Sequence, residues 1–169
     1  FQFGSGVDDG PIISQIKIKN TKAMTIDKAT TKIQMIWVKK IPFLFKKLMK
    51  DKISAKNQNN FYATYFRQRN ECDGEIDWQD SASEIDCQIR AQLSPYPGAF
   101  FKIKDKKFKI IKYSLIKKKF FSLPGKILNK EKKYTIVVCG QNSAIKIYQV
   151  NYNRKMISPI KALNNKKNL

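Results

Sequence analysis

The sequence predicts an α/β segment followed by a mainly β barrel carrying one helix. Three observations carry this. Phe1-Gln2-Phe3 reads as the end of a strand running into the loop Gly4-Ser5-Gly6-Val7-Asp8-Asp9-Gly10-Pro11, the order of strand and loop in an α/β unit. Apolar residues then recur at helical spacing as far as Leu93. Beyond Ala99 they occur instead in short β-rich runs separated by turn residues. The 42% apolar fraction is enough for a packed core, so the high charge does not by itself predict disorder.

A strand cannot satisfy its backbone groups alone, so the opening residues predict a chain cut inside a domain whose other strands lie upstream. Ile12 to Lys19 alternates partly and reads as a second strand. Thr25 is a plausible N-cap with Asp27 in the first turn, and Ile26, Ala29, Ile33, Trp37, Leu44 and Leu48 fall near helical spacing. Pro42 has no N–H to donate and is expected to kink or divide this helix. Deprived of the sheet it would cover, the helix is expected to be poorly packed. Residues 51–60 are polar and read as a linker, which divides the chain into domains at 1–55 and 61–160.

Tyr62 to Arg67 is a short strand candidate. Ser81-Ala82-Ser83-Glu84 is a capping box, and Ala82, Ile85, Ile89 and Leu93 form one apolar helical face. Pro95-Tyr96-Pro97-Gly98 stops that helix. Phe100–Ile103, Lys107–Ile116, Tyr134–Cys139 and Ala144–Val150 follow as strands of a small antiparallel barrel or sandwich. Leu163 to Leu169 is expected to fray.

The chain has 169 residues, a formal net charge of +21 and no His, which excludes a self-contained His-based catalyst and most zinc sites. The basic excess invites a nucleic-acid reading. Only Arg67, Arg69, Arg90 and Arg154 are Arg, however, the residue that base-edge and bidentate phosphate contacts favour. Lysine as generic surface filler is the blander alternative. Residues 71–86 form an acidic island with no basic residue. Asp73-x-Glu75-x-Asp77 has the spacing of a calcium loop, but Trp78 occupies the position that needs Gly, so no metal is expected. Trp78 reads as a core anchor and the acids as a solvated loop. Cys72, Cys87 and Cys139 are widely spaced and odd in number, as in a reduced, cytoplasmic protein. No apolar run reaches membrane-spanning length, and there is no signal-peptide pattern.

On residues alone, Asp8-Asp9-Gly10-Pro11 is a turn. Yet Gly6-Val7-Asp8-Asp9-Gly10-Pro11-Ile12-Ile13 resembles the G-(I/L/V)-D-x-G-x-(I/L) loop of folate-dependent formyltransferases. Asp73-Gly74-Glu75-Ile76-Asp77-Trp78, Ser81-Ala82-x-x-Ile85, Ile89-Arg90-Ala91, Pro95-Tyr96-Pro97-Gly98-Ala99-Phe100 and Pro124-Gly125-x-Ile127 are similar, in order and spacing, to later blocks of the same family. The resemblance implies a Rossmann-like catalytic domain ending within residues 1–55 and an OB-like C-terminal domain over 61–160. It implies Asp8 as a catalytic residue and Val7 with Asp8 as cofactor-site residues. It implies 10-formyltetrahydrofolate as formyl donor and a primary amine as acceptor. The family's Asn-x-His pair would stand upstream of Phe1, so this chain alone is expected to be inactive.

Ala63-Thr64-Tyr65-Phe66-Arg67-Gln68-Arg69 is similar to the A-T-Y-(Y/F)-x-x-R stretch of enzymes that formylate nucleotide-linked amino sugars, which favours that acceptor. The alternative is methionyl-tRNA formyltransferase acting on initiator tRNA, for which a basic barrel suits the phosphates. A second class is a basic OB-like RNA-binding module with Phe101, Phe108 and Tyr113 on an exposed face, and a third is a non-functional remnant. The oligomeric state is left open.

Overall fold

The computed structural model describes residues 6–131, 133–163 and 169. They separate into two compact units, with the division between Gln68 and Arg69.

In the first unit the expected strand over Ile12–Lys19 does not form. Ile12 alone pairs, exchanging two backbone hydrogen bonds with Lys56 at 2.8 and 3.0 Å. An alternating run becomes a strand only where a neighbour accepts its ladder, and none is present among the described residues. Helix α1 spans Ile26–Leu48 without interruption, with Pro42 inside it. Pro42 therefore does not divide the helix. It deletes one hydrogen bond, to the carbonyl of Val38, which lies on a residue 71% exposed. Thr25 occupies the N-cap, but its hydroxyl donates to the Asp27 carboxylate rather than capping the backbone. No residue of α1 is buried. After Leu48, a single 3-10 turn at Asn60–Tyr62 is held by the Asn59 side chain, which accepts from the Phe61 N–H at 3.0 Å. Residues 63–68 are exposed and irregular, so the Tyr62–Arg67 strand does not form either, again for want of a partner.

The second unit is built on an antiparallel sheet. Its strands are β1 (Phe100–Ile103), β2 (Lys106–Ile116), β3 (Ile127–Glu131), β4 (Tyr134–Cys139), β5 (Ser143–Tyr152) and β6 (Lys155–Ile157). They lie in the order β1-β2-β5-β4-β3, with β6 also paired to β5. The path has two ends, β1 and β3, so the described ladder is open rather than closed on itself. Register shifts around Ile111 and Lys112 mark an irregularity in the long β2–β5 pair, of the kind that bends a strand. Asn153 and Arg154 both have positive φ, as the two-residue β5–β6 hairpin requires.

Helix α2 (Ala82–Ala91) begins at the expected capping box. The Ser81 hydroxyl accepts from the Glu84 N–H, and Glu84 accepts from the Ser81 N–H. Ala82, Ile85 and Ile89 are buried with Ile110, Val137, Ile145, Ile147 and Val150. Trp78, Phe101, Phe108 and Tyr152 continue this core as a chain of rings, with successive centroids 6.0, 5.6 and 5.0 Å apart. Phe101 and Phe108 are thus core residues, and neither is available as an exposed base-stacking platform. Two strands and one α-helix are not predicted by the sequence: β3, β6 and the short helix α3 (Pro159–Leu163). Leu163 is 1% exposed, and the Leu169 N–H donates to the Gly125 carbonyl at 2.9 Å, so neither end of the expected frayed tail is loose. Residues 164–168 lie outside the described residues.

Candidate functional site

The loop Gly6–Ile12 carries Val7 and Asp8. Asp8 takes a left-handed conformation, φ +55°, which Asp tolerates better than most residues. Its carboxylate makes no hydrogen bond or ion pair with any described residue, and it is exposed; Val7 beside it is 89% exposed. The loop is held from two sides. The Asp9 carboxylate accepts the Gly6 N–H at 2.9 Å, closing the turn from within. From the chain 48 to 50 residues later, the Gln58 amide donates to the carbonyls of Asp8 and Gly10 at 2.7 and 2.8 Å. The Ile12–Lys56 bridge fixes the exit of the loop beside it.

Gln58 is therefore a positioning residue, although it sits in a stretch, residues 51–60, whose polarity predicts only a linker. An amide NH2 carries two donors and so serves both carbonyls, but nothing in the spacing marks which Gln does so. The arrangement presents one carboxylate on a pinned turn. Formyl transfer to an amine also needs donors for the oxyanion and a proton shuttle, and no titratable side chain among the described residues is hydrogen-bonded to Asp8.

The acidic island of the second unit is not a second site. Asp73 caps the 3-10 turn Glu71–Gly74, accepting the Asn70 N–H at 2.7 Å. Glu75 meets Lys102 at 2.5 Å and Glu71 meets Lys107 at 3.2 Å. Asp86 accepts from Arg90 Nε at 2.8 Å and from the Tyr113 hydroxyl at 2.7 Å. The Ser81 hydrogen bonds hold Glu84 below the usual carboxylate range. Desolvation, with Asp77 and Glu84 nearby, pushes Asp80 up. Glu71, Glu75, Asp77, Asp80 and Glu84 are exposed, as the sequence predicts of a solvated loop beside an N-cap, and several of the acids also cap or pair. Trp78 is buried as expected. No group of metal-ligating side chains occurs among the described residues. No described helix is long and apolar enough to cross a membrane.

Residues 69–168 match the formyl transferase C-terminal domain family. The methionyl-tRNA formyltransferase of Pelagibacter ubique is 34% identical over 152 residues, covering 88% of this chain and 46% of that protein. The chain thus spans about half the length of the curated relatives it matches. Two solved structures share the fold. One is HypX from Aquifex aeolicus, with TM-score 0.64 and 14% identity, covering 96% of this chain and 30% of that one. The other is an N-formyltransferase from Helicobacter canadensis, solved with folinic acid and dTDP-3-aminofucose. It has TM-score 0.61 and 22% identity, and the match covers 88% of this chain and 53% of that one. The boundary of the family match coincides with the division of the structure between Gln68 and Arg69, and the chain belongs to the formyl transferase family, whose C-terminal domain it carries over residues 69–168.

Proposed function

We propose that this chain is part of a folate-dependent formyltransferase that moves a formyl group from 10-formyltetrahydrofolate to a primary amine. In that reading residues 1–55 end a Rossmann-like catalytic domain, and the open sheet of the second unit is OB-like. The observation that carries it is the Asp8 loop: an exposed, unpaired carboxylate held on a turn by Gln58, in a chain of the formyl transferase family. Val7 and Asp8 line the folate side of the site. The amine's lone pair attacks the formyl carbon, the bond from that carbon to the folate nitrogen breaks, and the proton released by the amine returns to that nitrogen. Asp8 would orient and share the proton-transfer group supplied by the rest of the enzyme.

The acceptor is a nucleotide-linked amino sugar, on the strength of Ala63-Thr64-Tyr65-Phe66-Arg67-Gln68-Arg69 and of a fold relative solved with such a compound. Initiator methionyl-tRNA is the second reading, favoured by the 34% identical relative. The test is formyl transfer by the complete gene product, assayed with a dTDP-amino sugar and with methionyl-tRNA in parallel. Replacing Asp8 by Asn is expected to lower kcat by about 100-fold or more, with stability unchanged because the side chain touches no described partner. A wild-type rate in Asp8→Asn sinks the assignment. Formylation of methionyl-tRNA alone selects the second acceptor.

A further inference from the structure

The second unit holds a cleft of about 300 Å³ where the β1–β2 hairpin meets β5, β6 and α3. Its floor is apolar and aromatic: Phe108 and Tyr152 lie nearly parallel, 25° between planes at 5.0 Å, with Ile157 beside them. Its rim is cationic, formed by Lys104, Lys106 and Lys161. Among the described residues no carboxylate lines it.

The rim lysines differ from their neighbours. Lys102 and Lys107, on the same two strands, are each spent on a carboxylate, Glu75 and Glu71. Lys104, Lys106 and Lys161 make no ion pair among the described residues, although Asp105 lies between two of them in the chain. Lys106 Nζ stands 5.9 Å from the Tyr152 ring centroid, so this charge already leans over the aromatic floor. Three uncompensated cations in one cleft repel each other, and an anion relieves that repulsion. Phe108 is buried, so of the two floor rings the partly exposed Tyr152 is the one that accepts a planar ring, because any π-face stacks.

We propose that this cleft binds a free nucleoside diphosphate, its base against Tyr152 and its phosphates among Lys104, Lys106 and Lys161. The volume sits at the lower end of ligand-pocket sizes, about 300 Å³, which is room for one base with its sugar and not for a run of stacked bases. A free nucleotide is therefore favoured over a nucleotide within single-stranded RNA. The inference does not depend on formyl transfer, since the cleft is formed wholly by residues of the second unit.

The experiment is an NMR titration of the isotope-labelled 169-residue chain with ADP, with pyrophosphate and with a short oligoadenylate. ADP is expected to shift the Tyr152 and Ile157 signals saturably, with a Kd on the order of 0.1–1 mM for so small and open a site. Changing Lys104, Lys106 and Lys161 together to Gln is expected to weaken ADP by about tenfold or more, with an unchanged urea midpoint because all three are exposed. Tyr152→Leu is expected to weaken ADP by about tenfold while leaving pyrophosphate unaffected. Equal affinities for pyrophosphate and ADP overturn the stacking part, and tighter binding of oligoadenylate overturns the free nucleotide. The absence of any saturable shift, or a lysine triple variant that binds as the wild type does, overturns the site.

Discussion

Asp86 shows how residue-level chemistry decides what a charged position is for. Its two carboxylate oxygens are divided between Arg90, one helical turn on, and the hydroxyl of Tyr113 on β2. A single acid therefore pins α2 to the sheet, in a place where the sequence showed only one of seven acids in a row. Tyr113 is half-buried, and desolvation together with the hydrogen bond to Asp86 raises its pKa above the ordinary value of 10. A phenol whose folded pKa is raised binds its proton more tightly folded than unfolded. Its contribution to stability is then complete below pH 10 and is lost as the pH climbs above 10. Urea unfolding of the wild type and of Tyr113→Phe between pH 7 and 11 checks this. The wild type is expected to be the more stable by about 1.5 kcal/mol below pH 10, the lower end for a hydrogen bond to a charged partner, and the gap is expected to close above it. A gap that stays constant through pH 11 means that the hydroxyl is not held as described.

At the scale of elements, the end of the segment before α2 is fastened to Gly140, at the end of β4, through backbone hydrogen bonds. The Gly140 N–H lies 2.9 Å from the Trp78 carbonyl and 2.8 Å from that of Asp80, and Ser81 bridges to Gly140 in parallel. The Ser143 hydroxyl adds a bond from the Ala82 N–H at 2.8 Å, so the start of α2 and the β4–β5 turn form one joint. A Cβ at Gly140 would meet the Gln79 carbonyl oxygen at 1.7 Å and its carbon at 2.7 Å. Neither atom belongs to a flexible side chain, so Gly140→Ala must drive the two segments apart. The expected loss is roughly 3 kcal/mol or more, read as a fall in the urea midpoint. A loss below about 1 kcal/mol, no more than the usual cost of a point substitution, would mean that the joint gives way freely. Glycine is required here for close approach, not for a left-handed turn. The sequence hinted at it only as one residue of the turn Gly140-Gln141-Asn142-Ser143.

Across the whole molecule, legibility followed the local signal. The capping box at Ser81, the apolar face of α2 and four of the six strands were readable because hydroxyl, carboxylate and apolar side chains stand at fixed offsets along the chain. β3 was not, since Ile127–Glu131 is polar and becomes a strand only by pairing with β4. The runs at Ile12–Lys19 and Tyr62–Arg67 failed the opposite way: strand-like side chains with no ladder to join. Of the candidate site, Asp8 and its turn were legible and Gln58 was not, because its hydrogen bonds span about fifty residues. The same contrast between local signal and available partner separates the two units in stability. The core of buried apolar residues lies entirely within residues 69–169. In α1, by contrast, Met35, Val38, Ile41, Phe43, Phe45 and Leu48 are all more than half exposed. Packing supplies most helix stability in proteins, so α1 has its amphipathic sequence without the burial that normally holds it. In native-state hydrogen exchange of the 169-residue chain, the amides of β4 and β5 are expected to open only with global unfolding, and those of α1 by fraying at a far lower cost. A chain comprising residues 69–169 alone is expected to keep a single cooperative urea transition with the same midpoint as the second unit within the longer chain. Protection of α1 equal to that of β5 would overturn this, because it would require burial that the helix does not have.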